Sequence, residues 1–351
     1  MKAGIICFTE HGVLLAEQLV NGLTAHGILC EAWLKKKEYR AALPVEVAFL
    51  EGTLSEWTAE QFRSKDLLIF IGSTGIAVRS IAPYVQSKKT DPAVIVVDEQ
   101  GRHAISLLSG HIGGANELTL LVAELTGAEP VITTATDLHG KFAVDAFAAK
   151  RNLYMDSMPA AKEIAAALVD NLKVGMWSAF PVTGVVPPEL DTEGEEPLGF
   201  SIDVQKTSPF EKTLHLVPKA VVLGIGCKRG TERAVIRELV EEVLEVNGIF
   251  RESICKIASI DLKKDETGIL ELAESYQVPF ITYTAEELKK AVCEDGFAES
   301  AFVESVTGVG NICERSALLA AGVQKLLIPK TARNGVTVAA AVMDLTICME
   351  D

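Results

Sequence analysis

Nowhere in the chain do the apolar residues run to the roughly 18 in succession that a membrane-spanning helix needs, so the expectation is a protein with no membrane partner. Cysteine is present in an odd number, at Cys7, Cys30, Cys227, Cys255, Cys293, Cys313 and Cys348, without a C-x-x-C pair. That pattern fits neither a disulfide framework nor a zinc knuckle and points to a reducing cytoplasm. The opening MKAGIICFTEHG lacks the small-residue cleavage pattern of a secretory signal and reads as a first strand. Basic residues are in deficit: 33 Lys and Arg face 48 Asp and Glu, a net charge of −15. Such a surface repels a polyanion, so nucleic acid is not an expected partner. His11, His26, His103, His139 and His215 show no metal-ligand spacing, and Trp33, Trp57 and Trp177 are too scattered for a stacking platform.

What is present is a recurring unit of apolar run, loop of Gly, Ser and Thr, and segment of helical period, the sequence form of strand, turn and helix. LLIFIGSTG (67 to 75) is one example. In ANELTLLVAELTG, Leu118, Leu121, Val122 and Leu125 share one helical face, and Gly127 ends it. After VVLGIGCKRGT, Ile236, Leu239, Val240 and Val243 do the same. Runs at 3 to 8, 67 to 71, 93 to 97, 104 to 108 and 130 to 132 predict one mostly parallel, doubly wound α/β sheet over 1–145. Runs near 220 to 225, 254 to 260, 279 to 283, 325 to 328 and 336 to 343 predict a second over 217–351. Between them, 146–216 has a different texture, with Pro181, Pro187, Pro188 and Pro197 beside Glu193, Glu195 and Glu196. This reads as a small middle linker domain with a mobile acidic loop.

Ligands of open α/β sheets sit beyond the carboxyl ends of the strands. The loops to consider are therefore GSTGIAVR (72 to 79), LSGHIGGAN (108 to 116), TTATD (133 to 137), GIGCKRGT (224 to 231), GVGNICE (308 to 314) and KTARNGVT (330 to 337). GIGCKRG invites a dinucleotide reading, with Asp261 as the ribose partner. Its third glycine, Gly230, comes one residue late, Asp261 lies too far along, and no Walker pattern is present.

In this order, GSTGIAVR, LSGHIGGAN, GIGCKRGT, SVTGVGNICE and KTARNGVTVAAA resemble the cobalt-precorrin-5A hydrolase family of anaerobic cobalamin synthesis over nearly the whole chain. The resemblance implies a hydrolase acting on a carbon–carbon bond. It would open the lactone of cobalt-precorrin-5A and release acetaldehyde to give cobalt-precorrin-5B. The cobalt arrives inside the corrinoid substrate, so no cofactor or metal of the protein's own is expected. The alternative is a non-catalytic corrinoid-binding carrier of the same pathway. A homodimer, or transient contact with neighbouring pathway enzymes, is the partner expectation beside the substrate.

Lactone opening calls for delivered water, oxyanion stabilisation and proton transfer. His111, among glycines before a helix start, is the first candidate base, against the plainer role of bonding a turn carbonyl. Glu117 and Asp137 are its candidate partners, and Asp137 equally suits a helix N-cap. Substrate contacts are expected from Gly72, Ser73, Thr74, Gly75 and Arg79, and from Ser109, Gly113, Gly114 and Asn116. In the last third they are expected from Gly226, Cys227, Lys228, Arg229, Gly308, Gly310, Glu314, Lys330 and Arg333. Glu314 also has capping-box spacing from Asn311. Cys227 sits where a helix could lower its pKa, although an activated lactone needs no thioester. Arg79, Lys228, Arg229, Lys330 and Arg333 supply local positive charge for an acidic tetrapyrrole.

Overall fold

The computed structural model describes residues 1–36, 42–87, 90–134, 140–194 and 196–350. Two compact units divide it, Met1–Ala146 and Phe147–Asp351.

In the first unit, Ala3, Ile5 and Ile6 of β1 (Lys2–Cys7) have no exposure, nor do Leu67 to Phe70 of β4 (Leu67–Ile71) or any residue of β5 (Ala93–Val97). Strands buried on both faces belong at the centre of a covered parallel sheet. With β2 (Leu29–Leu34), β3 (Val47–Phe49), β6 (His103–Leu108) and β7 (Glu129–Val131) they form a seven-stranded sheet of order β3-β2-β1-β4-β5-β6-β7. Helices α1 (Glu10–Ala25), α2 (Leu54–Ser64), α3 (Thr74–Ile81) and α4 (Ala115–Thr126) accompany it. Thr9 caps α1 through Gly12, and a reciprocal Thr53–Glu56 capping box starts α2. The sheet is parallel except that β6 runs antiparallel to β5. Asp98 makes that reversal by accepting from the backbone N–H groups of Gln100 and His103, and Gly101 is left-handed at φ 67°. No helix separates 93 to 97 from 104 to 108; they are a hairpin. Helix α5 (Val144–Lys150) starts in this unit and continues into the residues of the second.

The second unit begins with a five-stranded sheet of order β11-β9-β12-β13-β8. Its strands are β8 (Tyr154–Met155), β9 (Val174–Ser178), β11 (Leu190–Asp191), β12 (Leu198–Ile202) and β13 (Lys212–Val217), accompanied by α6 (Met158–Val169). The Phe210 ring lies over Gly175 and Gly199, where any Cβ would come within 2.2 and 2.4 Å of it. Within the acidic Pro-rich stretch, β10 (Val182–Thr183) pairs with β19 (Ile347–Cys348), and β11 pairs with β9.

The other five-stranded sheet has the order β16-β15-β14-β18-β17, built from β14 (Val221–Cys227), β15 (Ile254–Ile260), β16 (Phe280–Tyr283), β17 (Ile328–Arg333) and β18 (Val336–Val342). Parallel β14, β15 and β16 are joined through α7 (Arg233–Val246) and α8 (Thr267–Tyr276). Short helices α9 (Ala285–Leu288) and α10 (Ala301–Thr307) lead to α11 (Cys313–Ala321), whose Ala317 and Leu318 pack on the sheet. The runs near 325 and 336 depart from the strand–helix rhythm. They form an antiparallel hairpin turning at Asn334 and Gly335, both with positive φ, because an Asn-Gly pair suits a tight hairpin turn. Among the described residues no helix is long and apolar enough to cross a membrane.

Candidate functional site

In the first unit the reversal at β5–β6 separates two loops that a purely parallel sheet would have brought together. Gly72, Ser73, Thr74 and Gly75 sit at the carboxyl edge of β4, where the Gly72 N–H donates to the Val97 carbonyl at 2.8 Å. Arg79 is exposed on α3 and forms no ion pair among the described residues. The loop from Ser109 to Asn116 leaves β6 at the opposite edge, because Leu108 pairs with Val94 at the start of β5. The two loops are a strand length apart, roughly 16 Å for five residues at about 3.3 Å each.

That second loop folds tightly on itself. Ser109 is left-handed at φ 59°, is buried, and donates its hydroxyl to the Asp91 carbonyl at 3.0 Å. A Cβ on Gly113 would lie 2.4 Å from the Ser109 Cβ and 2.8 Å from its carbonyl oxygen. Gly114 takes φ 77° to enter α4. Asn116, 5% exposed, accepts from Ser106 at 2.6 Å and donates to Thr134 at 3.0 Å. These contacts shape the loop.

The loop presents His111, half-buried, with its Nδ1 3.2 Å from Oδ1 of Asp145 at the first turn of α5. The carboxylate orients the imidazole, and a proton held at Nδ1 makes Nε2 the basic nitrogen. Of the expected partners, Glu117 is exposed in the first turn of α4. Asp137 lies outside the described residues, as does most of TTATD. Asp145 was not foreseen: it stands 34 positions from His111, and only the fold joins them.

In the second unit, loops that sequence reasoning singled out converge on a cavity of about 700 Å³. Gly226, Cys227, Lys228 and Arg229 follow β14; Gly310 and Cys313 precede or open α11; Lys330 and Arg333 come from β17 and its turn. The reason is topological: Cys227 pairs with Val336, so the hairpin turn sits at the carboxyl edge of β14. Leu262 and Lys263 beyond β15, and Phe302, Val303 and Val306 of α10, complete the lining and were not anticipated. The expected residues Gly308 and Glu314 do not line it. Gly308, at φ 79°, ends α10. Glu314 is a buried tie: it accepts from Asn311 Nδ2 at 2.5 Å, the Lys330 N–H at 2.8 Å and the Ala298 N–H at 3.3 Å.

The cavity's cations are not equivalent. Arg229 pairs with Asp265 at 3.0 Å, and Arg333 with Glu238 at 2.9 Å and with Glu242. Lys263 pairs with Glu266 at 2.8 Å. Burial pushes the Glu266 carboxyl up, but Lys263, the Gly230 N–H and Arg229 together hold it below its ordinary value. Lys228 and Lys330 have no ion pair among the described residues; the Lys330 ammonium reaches only the Ala298 carbonyl, at 3.4 Å. The thiols are not activated. Burial raises Cys227 despite Lys263 nearby, and pushes Cys313 up to about 11. The helix start after Cys227 therefore does not yield a reactive thiolate. All seven cysteines are unpaired, and among the described residues no group of three or more His, Cys, Asp or Glu is placed to hold a metal ion.

Residues 56–137 match the family described as cobalamin synthesis G N-terminal, and residues 221–341 match cobalamin synthesis G C-terminus. A cobalt-precorrin-5A hydrolase of Salmonella typhimurium is 37% identical over 354 residues, covering 95% of either chain. One from Priestia megaterium is 31% identical, covering 97% of this chain and 94% of its own. A probable cobalt-precorrin-5A hydrolase of Methanocaldococcus jannaschii is 29% identical over 81% of this chain and 87% of its own. With both family regions matched and two such relatives aligned nearly end to end, the chain belongs to the cobalt-precorrin-5A hydrolase family.

Proposed function

We propose that this protein hydrolyses cobalt-precorrin-5A, opening its lactone and releasing acetaldehyde to leave cobalt-precorrin-5B. The observation that carries the activity is the alignment of 95% of the chain with a relative of that name. The pairing of His111 with Asp145 supports a mechanism for it. Water adds to the lactone carbonyl as His111 takes a proton through Nε2, and the Asp145 carboxylate stabilises the imidazolium that results. Collapse of the tetrahedral oxyanion breaks the ester C–O bond. The imidazolium then returns a proton as the carbon–carbon bond to the departing two-carbon unit cleaves. One water is consumed and one acetaldehyde leaves, with no change in oxidation state overall. Cobalt enters as part of the substrate, and no step above calls on a cofactor of the protein's own. The unpaired cysteines accord with work in a reducing cytoplasm.

The test is incubation of the purified chain with cobalt-precorrin-5A without oxygen, trapping acetaldehyde and recording the corrinoid's mass. One acetaldehyde per corrinoid converted is expected. Tight binding of an unchanged corrinoid would make the protein a carrier and overturn the reading.

A further inference from the structure

Helix α10 contributes nothing to the core. None of its residues is buried, and Phe302 and Val306 are 78% and 63% exposed. Leu262, also lining the cavity, is 55% exposed. Three large apolar side chains bare in one cavity, with a charged rim, mark a ligand surface rather than a folding requirement. On the rim, Arg229, Arg333 and Lys263 are neutralised by their carboxylates, which leaves Lys228 and Lys330 as its unpaired positive charges among the described residues. Each is positioned by backbone. The Lys228 stem lies against Gly335, whose Cβ, were there one, would come 3.0 Å from the lysine Cδ. The Lys330 N–H is tied to the buried Glu314. An apolar trough under two unpaired cations is complementary to a broad ring with apolar faces and carboxylates at its edge.

Building on the proposed substrate, we propose that this cavity is the corrinoid's seat, in which Phe302 and Val306 cover a face of the macrocycle while Lys228 and Lys330 take peripheral carboxylates. Phe302 is thereby a determinant of affinity, not of the chemical step. The raised thiols of Cys227 and Cys313 give the seat no nucleophile of its own.

The experiment uses the full chain and a stable probe, dicyanocobyrinic acid with its carboxylates free, beside its fully methyl-esterified form, titrated by absorbance or equilibrium dialysis. Phe302→Ala should weaken binding of both forms about tenfold or more. Lys228→Glu should weaken the acid strongly and the ester little. Leu172→Ala, an equally bare apolar residue that does not line the cavity, should change neither. Because Phe302 and Lys228 are exposed, the variants should keep the wild-type circular dichroism. Wild-type affinity in a folded Phe302→Ala, or equal loss of acid and ester in Lys228→Glu, would overturn the seat. Acetaldehyde release separates the two readings. A Phe302→Ala enzyme with raised KM and unchanged kcat supports both. Turnover with unchanged KM removes the seat and leaves the hydrolase. Binding that depends on Phe302, with no acetaldehyde from the wild type, removes the hydrolase and leaves the seat.

Discussion

Replacing Gly224 with alanine asks what the first glycine of GIGCKRG is for. A Cβ there would lie 1.8 Å from the Cys313 carbonyl oxygen, 2.8 Å from its carbon and 2.9 Å from the Ala317 nitrogen. All three are backbone atoms of α11, so no side chain can rotate away. To reach even a 3.0 Å contact, helix and strand must part by 1.2 Å (3.0 − 1.8). A gap of 0.5–1 Å already forfeits about a quarter to a half of the dispersion between facing atoms. The zero-exposure contact of Ala317 with the sheet would open accordingly. The cost should sit at the upper end for overpacking, about 3 kcal/mol. In a unit of this size that lowers the melting temperature by roughly 6–12 °C. Gly226→Ala is the comparison: its Cβ would crowd the Thr337 hydroxyl, at 2.6 Å, whose side chain can turn, and would meet the Ile312 Cβ at an ordinary 4.0 Å. Its cost should stay under about 1.5 kcal/mol, with the main effect on ligand binding. Thermal unfolding of both variants decides. A Gly224→Ala protein melting with the wild type would show that close packing of α11 is not why the glycine is there.

Asp145→Asn should lower kcat for acetaldehyde release by a factor on the order of 10² to 10⁴ while leaving corrinoid affinity and melting temperature nearly unchanged, since it removes the acceptor that orients His111. Wild-type kcat in that variant would take the pair out of the mechanism. Glu266 yields a pH prediction. Its folded-state carboxyl is held below the ordinary 4.5, so its contribution to stability is complete above that value and fades as pH falls through the depressed one. The gap in urea stability between wild type and Glu266→Gln should therefore be widest at neutral pH and shrink as the pH is taken below the ordinary 4.5; a gap that stays constant contradicts the linkage.

Both α/β sheets were legible because β1, β4, β5 and β14 are apolar on both faces, which only a covered central strand permits. The two reversals were harder to read. Asp98, Gly101, Asn334 and Gly335 were in plain view as turn residues, but the strand–helix rhythm around them favoured parallel crossovers. The first reversal has a consequence for the site, since an antiparallel β6 carries His111 to the edge of its sheet away from Gly72. In the second unit the same kind of reversal works the other way and brings Lys330 and Arg333 to the loop after β14. Asp145 could not have been paired with His111 from spacing, because the contact depends on where α5 starts in three dimensions.

Charge shows most plainly what a sequence can and cannot say. A net −15 repels a polyanion across the surface, while a few basic residues near glycine loops can still dominate the field within one Debye length. Sequence cannot say which of those residues are already neutralised. Arg229 and Arg333 carry planar forks that suit a carboxylate, yet their guanidinium groups face Asp265, Glu238 and Glu242. An incoming carboxylate would have to compete with those partners, at a net gain far below that of a free pair. Lys228, which is exposed, and Lys330, which is half-buried, have no ion pair among the described residues. Nor does helical period reveal Phe302, because an apolar residue on a short amphipathic segment normally reads as core. Its 78% exposure, in a helix with no buried residue, turns a packing residue into a binding one.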